Sequence, residues 1–179
     1  MSEIVEWLQS PHGRKAVEVA LRAWAVSSDP LAVTKAMNRE LDLPSSYRTA
    51  ATLQADLRTR LQQRWGQSPD WLLTRDGIEQ ATHPAVRSWR SQRLRELGVN
   101  RIADLGCALG FEAGSFAAAG LTGWAVERDL EVAAVAALNL RDSGFQVLQF
   151  DVVENEAALE QVVADVDALF VDPARRDPS

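Results

Sequence analysis

From Val99 onward, short apolar runs alternate with helical segments, and that alternation constrains the fold more than any other feature of the chain. Strands are read at "RIADLGC", "GWAVER", "QVLQF" with Asp151, and "ALFV" with Asp172; helices are read at "EAGSFAAAG", "LEVAAVAALNLRDSG" and "EAALEQVVADV". A helix between consecutive strands is the connection that parallel pairing needs, so the pattern predicts βαβ units and a parallel sheet of four strands.

Before that point the periodicity is helical and punctuated by caps. Ser10 precedes Pro11, and Val17, Ala20, Leu21 and Trp24 then fall on one face. Asp29 and Pro30 repeat the device ahead of Val33, Ala36, Met37 and Leu41. Pro44 stops that helix, Ser45 or Ser46 caps a longer one, and Gly66 ends it. Asp76-Gly77 predicts a turn, and Thr82 or His83 before Pro84 starts a helix with Val86, Trp89 and Leu94 on its apolar face. The expected organisation is α/β, with an N-terminal helical bundle over 1–78 followed by a partial Rossmann-like sheet over 79–179.

Charge also divides, close to Val99. Residues 1–95 hold 14 Lys and Arg against 10 Asp and Glu, and residues 96–179 hold 5 against 15. Two modules with different partners are therefore expected. No apolar run approaches the ~20 residues of a membrane span, and "MSEIVEWLQS" lacks the basic start of a signal peptide, so no membrane role and cytoplasmic residence are expected. One cysteine, Cys107, leaves no internal disulfide, and His12 and His83 lack metal-ligand spacing, so no metal is expected.

Chemistry concentrates where strands end. The first strand runs into Asp104-Leu105-Gly106-Cys107-Ala108-Leu109-Gly110, whose glycines permit a tight turn and a close backbone approach to a ligand. The spacing is not the dinucleotide Gly-x-Gly-x-x-Gly, because Ala108 and Phe111 stand where glycines would be needed. No phosphate-binding lysine follows either. An acid ahead of the first glycine opposes a pyrophosphate and suits an ammonium or sulfonium cation. Glu127 ends the second strand, where a carboxylate can accept both hydroxyls of a ribose or simply be solvated. Asp151 ends the third, within reach of an adenine amino group or able to cap the next helix. Cys107 is read as packing, with no histidine nearby to activate it.

This succession resembles the class I S-adenosylmethionine-dependent methyltransferases. Asp104, Gly106 and Gly110 match their acid-x-Gly-x-Gly-x-Gly loop, with Ala108 replacing the middle glycine, and Glu127 and Asp151 match their ribose and adenine acids. "LFVDPARRD" together with "LLTRDGIEQAT" is more particularly similar to the bacterial THUMP-like methyltransferases, over roughly residues 70–179. The resemblance implies S-adenosylmethionine as cofactor, RNA as substrate, and Gln80 over the cofactor, where a buried polar role is the other reading.

In related amino-group methyltransferases the fourth strand ends in Asp/Asn-Pro-Pro-aromatic. Asp172 and Pro173 match; Ala174 and Arg175 depart from it. Asp172 would then orient the nucleophile, while Arg175 stacks on a base or grips a phosphate, unless Arg175 and Arg176 are a solvated basic pair. The resemblance implies about seven strands where four are counted. A fragment is therefore expected, inactive alone, or else self-association through the exposed edge of the fourth strand. The competing reading is a non-catalytic module that binds RNA or protein on a degenerate methyltransferase scaffold.

Overall fold

Capping side chains set the first helix starts. In the computed structural model, which describes residues 3–27 and 29–172, helix α1 spans Glu3–Gln9 and α2 spans Pro11–Val26. Ser10 is the N-cap of α2: its Oγ accepts from Gly13 N at 3.1 Å, and Pro11 occupies a first-turn position where its missing N–H costs nothing. Asp29 does the same for α3, Pro30–Glu40, accepting from Leu31 N at 3.0 Å. Helix α4, Ser45–Trp65, differs from expectation. Its N-cap is Pro44 with no side-chain cap bond, because both serines already lie inside the first turn. Gly66 closes α4 in the left-handed conformation (φ 71°), with its N–H on Gln62 O.

The chain forms two compact units, Met1–Glu79 and Gln80–Ser179. In the first, α2 packs on α1, α3 and α4, burying Val17, Ala20, Val33, Met37, Leu57 and Leu61. Helix α1, unread in the sequence, crosses α2 so closely that a Cβ on Gly13 would lie 2.6 Å from Leu8 Cα and overlap the Trp7 carbonyl. The buried amide of Gln54 donates to Leu73 O at 2.9 Å and accepts from Leu73 N at 3.0 Å, tying the following segment to α4 like a rung of sheet. The expected turn at Asp76-Gly77 lies instead inside a short helix α5, Arg75–Gln80. Thr74 caps that helix by accepting from Gly77 N at 3.1 Å, and burial of Ile78 holds it.

This unit contains ten basic and ten acidic residues, so it is electrically balanced. The basic excess expected of a helical module belongs to the next helix, α6, Pro84–Glu96, which carries four arginines. His83 caps α6 through Nδ1, accepting from Ala85 N at 3.2 Å. Its buried face is not the apolar one. Val86 and Trp89 are 45% and 67% exposed, whereas Arg87 and Ser91 are buried. The periodicity of hydrocarbon misled here because the arginines have carboxylate and aromatic partners farther along the chain.

The second unit is a four-stranded parallel sheet of order β3-β2-β1-β4, formed by β1 Arg101–Leu105, β2 Thr122–Glu127, β3 Phe145–Gln149 and β4 Ala168–Val171. The connecting helices are α7 Phe111–Ala118, α8 Leu130–Leu140 and α9 Glu156–Ala164. Phe116 of α7 packs against Phe145 and Phe170 on one face, while Val162 of α9 joins Ala103, Leu105 and Val126 on the other. The chain steps outward from β1 to β3 and then returns to the far side of β1. That reversal makes the carboxyl ends of β1 and β4 the switch point, the place where doubly wound sheets take ligands in a crevice. Among the described residues β4 pairs only with β1, and its Leu169 and Val171 remain 45% and 56% exposed.

Candidate functional site

The loop from Gly106 to Gly110 leaves β1 at this crevice and is held from three sides. Gly106 N and Cys107 N both donate to Val126 O at 2.9 Å, and Gly110 N turns back to Cys107 O at 2.8 Å. From the end of β2, Glu127 Oε2 accepts from Ala108 N at 3.0 Å, while its Oε1 accepts from Asp129 N at 3.0 Å. From α8, the amide of Asn139 donates to Leu109 O at 3.1 Å. Gly110 has φ 89°, a conformation that favours glycine, and a Cβ there would press on the Leu140 side chain at 2.8 Å. Ala108 also has positive φ, 47°, a left-handed conformation that costs an L-residue about 1–2 kcal/mol.

Asp104 lies beneath the loop, 1% exposed, with Oδ2 accepting from Ala113 N at 3.1 Å in the first turn of α7. Burial raises its pKa to about 7, Glu112 and Asp172 raise it too, and the Ala113 N–H and Arg90 oppose them. Burial likewise pushes the Cys107 thiol far up, so it stays protonated.

A charged seam between α6 and α7 borders Asp104. Arg90 Nη1 lies 2.6 Å from Glu112 Oε2, an ion pair not aligned as a hydrogen bond, and the guanidinium stacks 4.5 Å over the Phe170 ring. Arg87 lies 4.7 Å over the ring of Phe111, and burial lowers its pKa while Glu112 raises it. Removing one partner of this half-buried pair is expected to cost less than the ~3–5 kcal/mol typical of a fully buried one. Glu112, Arg87, Arg90 and Asn139 were not singled out in the sequence. The available signal was Arg87 and Arg90 at i, i+3 on the helix before the first strand, with Glu112 two residues past Gly110.

The structure thus brings Asp104, Gly106, Ala108, Gly110 and Glu127 together. Asp172 joins them from the end of β4, where its side chain is exposed and its carbonyl oxygen lies 3.3 Å from where a Cβ on Gly106 would be. Asp151 follows β3, which pairs with β2. Its Oδ1 accepts from Val153 N at 2.8 Å, and the cap of α9 is supplied separately by Asn155. Gln80, the last residue of α5, is exposed. Pro173, Ala174, Arg175 and Arg176 lie outside the described residues. Chemically, Glu127 and Asp172 present carboxylates at the ends of β2 and β4, with Asp104 buried at the end of β1 between them, a set suited to hydroxyls, amines and cations. Among the described residues no group of side chains could hold a metal ion, and no helix is long and apolar enough to cross a membrane.

Neither a protein-family model nor a curated protein matches the chain in sequence. Solved structures do match. A candidate methyltransferase from Porphyromonas gingivalis W83 is 24% identical and superposes over 91% of this chain and 41% of its own, with a TM-score of 0.65. The SAH-bound methyltransferase PaMTH1 of Podospora anserina is 17% identical over 74% and 61% of the two chains, with a TM-score of 0.48. A candidate RNA methyltransferase from Pyrococcus horikoshii is 22% identical over 65% and 59%, with a TM-score of 0.43. The chain spans less than two thirds of the length of each. The likeness to the first establishes the fold, a methyltransferase-like Rossmann sheet.

Proposed function

We propose that this chain is the donor-binding part of an S-adenosylmethionine-dependent methyltransferase of the THUMP-like type, cytoplasmic and acting on RNA. One arrangement carries the reading: a glycine loop, held by Glu127 over the buried Asp104, at the point where the strand order reverses. The residues fit such a cofactor because, among the described residues, those at the strand ends here are acidic.

When bound, S-adenosylmethionine supplies an electrophilic methyl group on a sulfonium. The protein's part is alignment and exclusion of water. The loop from Gly106 to Gly110, including Ala108, packs its backbone against the ligand. Glu127 accepts the ribose hydroxyls with lone pairs left over from its two N–H bonds, and Asp151 accepts from the adenine amino group with the oxygen not committed to Val153. Gln80 covers the cofactor. Asp172, followed by Pro173 as in the family motif, orients the nucleophile, and Arg175 grips the substrate. RNA is assigned on the resemblance, since neither unit carries net positive charge to attract a polyanion.

Titration calorimetry with S-adenosylmethionine and with its demethylated product tests the reading. Binding of both is expected; no heat and no thermal shift at about 1 mM ligand would defeat it. One observation favours the non-catalytic alternative: the strained Ala108 where a relaxed glycine would serve. Donor binding by the whole protein with no methyl incorporation into RNA would decide for that alternative.

A further inference from the structure

Helix α8 is linked to the glycine loop near both of its ends. At its start, Asp129 caps it and Glu127 accepts the Asp129 N–H, while the other oxygen of Glu127 takes the Ala108 N–H. Near its finish, Asn139 donates its side-chain amide to Leu109 O at 3.1 Å, and the next residue, Leu140, lies where a Cβ on Gly110 would meet it. Asn139 is out of keeping with its own helix, since after Glu131 every other residue of α8 is Val, Ala or Leu. Asn is a poorer helix former than Ala or Leu, because its amide competes for nearby backbone groups. Its bond to Leu109 reaches across 30 residues of sequence to a different element. What that bond holds is a strained segment: Ala108 stands at φ 47° and Gly110 at φ 89°. A left-handed residue other than glycine persists only where its surroundings over-determine it. Here Glu127 holds the peptide ahead of Ala108, and Asn139 holds the peptide after Leu109. Leu109 is 1% exposed, so its carbonyl has little water to turn to. A buried acceptor that loses its donor favours a rearranged backbone.

We propose that Asn139 is a positioning residue of the donor site: its bond to Leu109 O keeps the loop from Gly106 to Gly110 in the shape that takes S-adenosylmethionine. The inference rests on the reading of the crevice as a donor site. Asn139 acts through the loop backbone rather than on the ligand. Glu127 holds the loop from the end of β2 and leaves Leu109 and Gly110 to α8, so each side chain fixes a part that the other does not. With the Asn139 amide gone, the Leu109 carbonyl turns toward another donor, and Ala108 is free to leave its left-handed conformation. The free protein then spends part of its time in loop shapes that do not bind, and affinity falls by the fraction lost.

Asn139→Leu nearly keeps the volume of the side chain and removes the donor without adding charge; Asn139→Ala removes both. A side chain that only packs leaves S-adenosylmethionine affinity unchanged wherever the protein is folded, and Leu replaces it better than Ala. A positioning residue loses its effect in both variants. Titration calorimetry, under conditions where urea denaturation shows each variant fully folded, is expected to give S-adenosylmethionine binding about three- to tenfold weaker in both. In the ligand-free protein the amides of Ala108 and Gly110 should exchange with deuterium faster in both variants than in the wild type, and by a larger factor than those of β1 and β2. Wild-type affinity in either folded variant overturns the proposal. So does loop exchange that rises only in step with the strands. Should one variant fail to fold, the other decides on the same two readouts. No binding of S-adenosylmethionine by the unsubstituted protein defeats the donor-site reading instead. The hold of Asn139 on the loop is then judged by exchange alone, and an unchanged rate at Ala108 and Gly110 overturns it.

Discussion

The Ala108 N–H donates to Glu127 Oε2 at 3.0 Å, so the end of the second strand holds the loop that follows the first. The same carboxylate takes the Asp129 N–H with its other oxygen, so one side chain fixes two backbone turns. Glu127→Ala leaves both N–H groups without their acceptor and is expected to cost about 1–3 kcal/mol of stability. The loss of S-adenosylmethionine affinity should exceed what unfolding explains. Urea denaturation and calorimetry on the same variant separate the two effects.

Ala108 sits at φ 47°, and glycine would relieve that strain while adding chain entropy to the unfolded state. The two terms, about 1–2 kcal/mol of relief against about 0.5–1 kcal/mol of entropy, leave a net gain near 0.5 kcal/mol for Ala108→Gly. A raised urea midpoint at unchanged slope is the expected result.

Asp104 makes stability fall with rising pH. Its folded pKa of about 7 lies above the ordinary carboxyl value, so the native state holds the proton more tightly than the unfolded chain. The contribution is fully present below about pH 4 and is lost as pH rises through about 7, a change of a few kcal/mol at most. Asp104→Asn keeps an acceptor for Ala113 N and cannot ionise. Relative to the wild type it should gain stability steadily between those limits, and denaturation at a series of pH values would show this. A difference that does not vary with pH would refute the assignment.

Gly13 allows α1 to cross α2 with backbone against backbone. Gly13→Ala must push the helices apart and is expected to cost about 1–3 kcal/mol, typical of overpacking. Hydrogen exchange should show α1 losing protection first.

What was legible in the sequence was local. Ser10-Pro11, Asp29-Pro30 and Gly66 act within one helical turn, and each shows its effect in its own neighbourhood. The parallel strands were legible because a sheet covered on both faces needs runs of apolar residues, and the acids at strand ends broke those runs. The face of α6 was not legible. Burial of Arg87 and half-burial of Arg90 depend on Glu112, Phe111 and Phe170, which lie far along the chain. The close crossing at Gly13 was hidden for the same reason, since only the path of α1 makes that glycine necessary. Within the site, the loop and its strand-end acids could be picked out, but Asn139 and the α6–α7 seam could not.

That seam has a thermal consequence. The stabilisation from hydrocarbon contacts levels off as water is warmed, whereas the penalty for dehydrating charges keeps shrinking. A helix fastened by guanidinium groups rather than by leucines should therefore keep its hold on warming better than the Val17–Met37–Leu61 core of the first unit.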